Sequence, residues 1–169
     1  MDINLPDIVI LHYFSNIDIS ITSGAFGTFL TGVPGDQAYD EGTAAPAAGG
    51  FTQDLGIGPS ALTGNPGAAV LTLQNAWAVR SISIPGGSDT ELTITNTDAT
   101  LDHTVTAATI VVTGVAVDDG TSNASTITFS SPGIVNAARG DVELTLDMSN
   151  ASNAGDYLDG VFTLTATNI

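Results

Sequence analysis

The sequence predicts an all-β protein, an antiparallel β-sandwich interrupted by one long insertion rich in glycine, proline and alanine. Three observations predict it. Apolar and polar residues alternate with a period of two over several separate stretches, which places the apolar set on one face of a strand. Short turn-forming clusters divide those stretches, as in sandwiches and barrels. Finally, Thr, Val and Ile recur, lysine is absent, and glutamate occurs only at Glu41, Glu91 and Glu143, so strand formers outweigh helix formers. With 43% hydrophobic and 12% charged residues in 169, the chain has the composition of one folded domain rather than of a disordered segment.

Taken in order, residues 7–14 are apolar on both faces through Ile8, Val9, Ile10 and Leu11, the pattern of a strand buried in a sheet, and Pro6 marks its start or an edge. Ile17, Ile19 and Ile21 then alternate with Asp18 and Ser20. Residues 32–67 are crowded with Gly, Pro and Ala and lack sustained periodicity, so they read as a loop insertion far longer than an ordinary connection, anchored by Phe51, Leu55, Ile57 and Leu62. Residues 68–84 read as strand, although Val70, Leu73 and Trp77 also fit a helical face. Arg80 shares a face with Ile82 and Ile84 there, which calls for a carboxylate partner, a bulge or an edge position. Strands follow at 91–95, 126–129, 142–148 and 162–167. The clearest is Val142, Leu144, Leu146 and Met148 against Glu143, Thr145 and Asp147. Pro85-Gly86-Gly87, Asp118-Asp119-Gly120, Ser131-Pro132-Gly133 and Ser149-Asn150 supply the turns between them. Residues 89–96 and 141–148 echo one another, as strands of one grammar do, without forming a repeat unit.

A formal net charge of −16, with Arg80 and Arg139 as the only Lys or Arg residues, excludes nucleic acid and anionic membrane surfaces as partners, since both require clustered cations. A saline medium or divalent cations suit such a surface. Without cysteine there is no disulfide, thiolate nucleophile or Cys-ligated metal. The apolar run at residues 8–11 is too short to span a bilayer and has no basic leader, so neither membrane insertion nor an intact signal peptide is expected. The chain reads as the mature form of an extracellular or cell-surface protein, or, with Met1 as initiator, as a cytoplasmic product.

Asn153-Ala154-Gly155-Asp156-Tyr157, leading into Phe162–Ala166, resembles the tyrosine corner of immunoglobulin-like sandwiches, in which the Tyr157 hydroxyl would bond backwards to loop backbone. The resemblance implies an immunoglobulin-like or jelly-roll-like sandwich whose last strand, ending at Ile169, has an open edge and a groove to fill. Together with the doubly apolar N-terminal segment, this plan resembles the pilin-like fibre subunits that join by donor-strand addition. The resemblance implies homo-oligomeric assembly, with Ile3, Leu5, Ile8, Val9, Ile10, Leu11, Tyr13 and Phe14 at the subunit interface. It covers only the two ends of the chain and departs from many such pilins in lacking cysteine; the alternative is that residues 7–14 pair inside their own subunit. The absence of lysine excludes isopeptide and sortase joining.

For a bound cation, Asp118, Asp119 and Asn123 around Gly120, or Asp156 and Asp159 before the last strand, offer oxygen ligands suited to calcium, though neither reproduces an EF-hand; solvated turn carboxylates are the competing reading. Asn123-Ala124-Ser125 and Asn150-Ala151-Ser152 match the glycan acceptor pattern. No nucleophile, zinc or phosphate-loop motif accompanies His12, or His103 at the head of a Thr-rich strand, so no catalytic residue is assigned and the chain is not expected to be an enzyme. Two functions emerge: a structural subunit of a filament, pilus or surface assembly, or a monomeric carbohydrate-binding or adhesion module. In the second, Trp77 or exposed tyrosines would stack on sugar; as a core residue Trp77 would be structural, like Tyr157.

Overall fold

The computed structural model describes residues 5–20, 40–46, 62–65, 67–83 and 89–169. Among them every regular element is a strand: β1 Ile8–Ser20, β2 Asp40–Pro46, β3 Leu62–Asn65, β4 Ala68–Ile82, β5 Asp89–Asp98, β6 Thr100–His103, β7 Thr109–Asp118, β8 Asn123–Ala124, β9 Thr126–Ser130, β10 Gly133–Asp147, β11 Tyr157–Leu158 and β12 Val161–Asn168. All pairings are antiparallel. The larger sheet runs β11-β6-β7-β10-β4-β1-β2, with β3 beside β4 and β8 beside β7; the smaller runs β12-β5-β9. The chain is an antiparallel β-sandwich.

The core lies between the sheets and follows the alternation. Val142, Leu144 and Leu146 of β10 and Leu92 and Ile94 of β5 are buried, while the residues between them stay half-buried. Trp77 of β4 is fully buried and stacks on Phe129 of β9 with ring centroids 6.0 Å apart, tying one sheet to the other. Its indole Nε1–H donates to the Asp141 carbonyl at 2.9 Å, satisfying the one polar group that burial would otherwise strand.

Two irregularities bend the central strands. Opposite Asp141, β4 carries extra residues between Leu73 and Trp77, where Asn75 takes a left-handed φ of 53° and its backbone N–H donates to Asp141 Oδ1 at 2.8 Å. In β7, Thr113 is skipped between the pairs Thr145↔Gly114 and Leu146↔Val112. The bulge switches the buried set from Val112 to Val117, from even to odd positions.

Residues 40–46 and 62–65, within the segment expected as a loop, form β2 and β3. Both are side strands held by backbone pairing to β1 and β4, so they need no alternating apolar face. Arg80 resolves through a bulge in its partner strand. Residues 134–137 of β10 project between the pairs at Gly133 and Ala138, and Nη1 of the buried guanidinium donates to the carbonyls of Ile134 and Val135 at 2.5 and 2.7 Å. Among the described residues no helix is long and apolar enough to cross a membrane.

Candidate functional site

The Asn153–Tyr157 segment folds as a corner between the two sheets. The Tyr157 hydroxyl donates to the Asn153 carbonyl, four residues back, at 2.8 Å. Tyr157 and Leu158 pair with β6 in the larger sheet, and by Val161 the chain has joined the smaller one. Behind the tyrosine sits His103, buried edge-on against its ring at 5.1 Å. His103 Nδ1 accepts the backbone N–H groups of Val105 and Thr106, both at 3.1 Å, which fixes the proton on Nε2, from where it is donated to the Ala154 carbonyl at 3.2 Å. Gly155, at φ 143°, is required here, because a Cβ would lie 2.6 Å from that Nε2. His103 therefore closes β6 and braces the corner; it does not open a strand, and residues 104–107 are exposed.

The acidic turns spend their carboxylates on backbone. Asp118 Oδ1 accepts the Gly120 N–H at 2.6 Å, and Asp119 Oδ1 accepts those of Thr121 and Ser122 at 2.8 and 2.7 Å. The Asn123 amide donates to Glu143 Oε2 at 2.6 Å. Asp156 and Asp159 flank β11 at the corner, where the Asp156 carbonyl accepts Thr104 N–H and Asp159 has a φ of 76°. Among the described residues no three acidic or histidine side chains converge to hold a metal ion. Of the first calcium set expected from the sequence, Asp118 and Asp119 already serve as turn acceptors and Asn123 donates to Glu143. Of the two glycan acceptors, Asn150 is exposed on the turn after β10, whereas the Asn123 amide is engaged by Glu143.

The N-terminal segment does not stand away from its subunit. Residues 8–13 pair in register with β4, from Ile8↔Ile82 to Tyr13↔Trp77, and Phe14 onward pairs with β2. The segment expected to be donated is paired in its own sheet, where it covers the buried stretch Ala76–Ser81. The reason is that the β4 edge there is buried on both faces and needs a neighbour. Val9 and Leu11 pack against the core, Tyr13 is partly exposed, Leu5 is 60% exposed, and Ile3 lies outside the described residues. Asn168 of β12 fastens the start of this segment, its amide donating to Asp7 Oδ1 and to the Ile82 carbonyl. Asn168 Oδ1 in turn accepts from Thr90, whose hydroxyl also meets those of Ser81 and Ser131.

The open edge falls instead at β12. This strand pairs with β5 along its whole length, and among the described residues no strand pairs with its other side. Phe162, Leu164 and Ala166 pack inward on the core. Val161, Thr163, Thr165 and Thr167 face outward beside Asp98, Thr95, Thr93 and Glu91 of β5. Over its eight residues β12 carries no charge and no proline. Most other side strands are blunted in the usual ways: β8 and β11 have two residues each, β3 has four, and β2 opens on Asp40-Glu41, while β9, the opposite edge of the smaller sheet, is uncharged but has only five residues.

Comparison with protein-family models, with curated proteins and with solved structures gave no match.

Proposed function

We propose that this chain is a structural subunit of an extracellular filament or surface assembly, built by β-strand addition, whose output is mechanical continuity rather than chemistry. The observation that carries the proposal is the β12 edge, a full-length uncharged strand that pairs with no other strand on its outer side among the described residues, on a chain of net charge −16. A monomer of this charge would ordinarily guard such an edge with the acidic residues it has in excess. Assembly at β12 leaves β1 in its own sheet, whereas donation of β1 in the pilin-like manner would first uncover Ala76–Ser81. For the sugar-binding alternative, Trp77 is fully buried and offers no platform, which leaves Tyr13, 41% exposed, as the described tyrosine that could stack on a sugar. Asn150 is the position at which an extracellular form would carry a glycan.

The test is negative-stain microscopy and light scattering across protein and salt concentration. Oligomers that grow with concentration, and more readily at high ionic strength where self-repulsion is screened, are expected; a monomer under all conditions refutes the proposal. The chain has no cysteine, so the variant His12→Cys with Ala78→Cys, at directly paired positions, separates the two modes of addition. Oxidised assemblies that run as monomers on a denaturing gel keep β1 in its own subunit; a covalent ladder shows that β1 is exchanged.

A further inference from the structure

We propose that the occupant of the open edge is β12 of a second copy, paired antiparallel about a two-fold axis normal to the sheet, so that two three-stranded sheets become one of six in the order β9-β5-β12-β12-β5-β9. This rests on the strand-addition reading and names the partner within it: the pair is a closed two-fold unit, and a filament continues from it through the β9 edge left at each end of the six-stranded sheet.

The first argument is electrostatic. Two copies of a chain carrying −16 repel, and contact is least unfavourable where neither presents a carboxylate. Along β12 no residue from Val161 to Asn168 is charged; Asp156 and Asp159 precede the strand, Asp98 and Glu91 stand one strand away opposite Val161 and Thr167, and the Asp7 carboxylate is partly screened by its bond from the Asn168 amide.

The second argument is geometric. A two-fold axis normal to the sheet keeps outward residues on one side in both copies, so odd-numbered positions must meet odd-numbered positions. A register that engages the whole strand therefore sets Thr165 opposite Thr165 or Thr163 of the other copy; on the inner side Leu164 then meets Ala166 or Leu164, and Phe162 meets Asn168 or Ala166. Threonine facing threonine is the pairing this sheet already uses. Thr93 and Thr126 join hydroxyls at 3.0 Å across β5 and β9, and Thr97 and Thr163 at 2.9 Å across β5 and β12. The proposed contact repeats that pair across the axis. Of the other candidate strands, β1 is already engaged by β4 and β2, and β9, the opposite edge of this sheet, is shorter, with five residues.

Charge exchange at Thr165 tests the inference, because its side chain is exposed and faces only Thr93 within its own sheet. Thr165→Lys and Thr165→Asp each bring like charges opposite or diagonal to one another across the axis, and each is expected to weaken self-association about tenfold or more. An equimolar mixture is expected to restore association, read by sedimentation velocity and confirmed as a mixed species by native mass spectrometry. Far-UV circular dichroism and thermal midpoint certify folding; if either variant is unfolded, the Thr163→Lys and Thr163→Asp pair, equally outward, replaces it. Wild-type association with folded variants that associate equally well, or a mixture that fails to recover, overturns the homotypic pairing and leaves strand addition standing. A wild-type chain that never associates overturns both.

Discussion

Replacing Gly140 with alanine places one methyl group where three atoms already stand. Its Cβ would fall 1.9 Å from the Asp118 carbonyl oxygen and 2.5 and 2.8 Å from Cζ2 and Cε2 of Trp77. Neither neighbour can yield cheaply. The carbonyl belongs to β7, which is paired with β10 at this point, and the indole is fully buried, stacked on Phe129 and tied to the Asp141 carbonyl. Overpacking of a well-filled core costs about 1–3 kcal/mol. Displacing the indole far enough to lose its hydrogen bond adds about 1 kcal/mol. The expected loss is therefore about 3 kcal/mol, which for a chain of this size lowers Tm by about 6–12 °C. Urea denaturation followed by tryptophan fluorescence measures it, and because Trp77 is the only tryptophan the probe sits at the perturbation. The m-value should stay constant. Gly120→Ala is the control: at φ 83° with no atom within 4 Å of a new Cβ, it costs about 1 kcal/mol through backbone strain alone and leaves Trp77 emission unmoved. A Gly140→Ala protein within 1 kcal/mol of wild type would refute the packing argument.

Two further perturbations probe the corner and β1. Tyr157→Phe removes the hydroxyl bond to the Asn153 carbonyl while keeping the ring against His103; it should cost about 1 kcal/mol and raise amide exchange at residues 153–157 ahead of the core strands, and unchanged exchange there would count against the brace. Burial, and then the neighbouring Arg80 cation, hold the His12 imidazole below its usual pKa, so the folded chain binds fewer protons than the unfolded one. That contribution to stability is complete above the unfolded pKa of about 6.5 and is lost as pH falls from there towards the lower folded value. His12→Gln should flatten the slope of stability against pH below neutrality, measured by denaturation at a series of pH values; parallel slopes in the two proteins would refute it.

The strands that face one core with one unbroken alternation were legible from sequence: residues 126–129 and 162–167 lie within strands of the structure, and 142–148 does so up to Asp147, with Met148 just past the end of β10. β7 was not, because the bulge at Thr113 changes which parity points inward and cancels the period-two signal in Thr109–Asp118. β2 and β3 were hidden for a different reason, since a side strand held by its backbone can be built from glycine, alanine and proline. Tyr157 announced itself through its local spacing, and its partner is four residues away. The residues that complete the corner did not. His103 lies 51 positions from the Ala154 carbonyl it holds, and Gly140 is needed only because Trp77, on another strand, comes to rest beside it. The candidate site follows the same rule: the composition of β12 could be read directly, but its standing at the end of a sheet is a property of topology.

The crossing at Tyr157–Val161 also decides how the sandwich bears load. Tension applied through β12 travels along its ladder with β5 and, at the strand's start, into β11 and β6 of the opposite sheet, so the two layers are pulled as a pair. In the assembly proposed above, a subunit pulled along β12 would resist by sliding its whole ladder with β5 at once, instead of parting bond by bond like a zip.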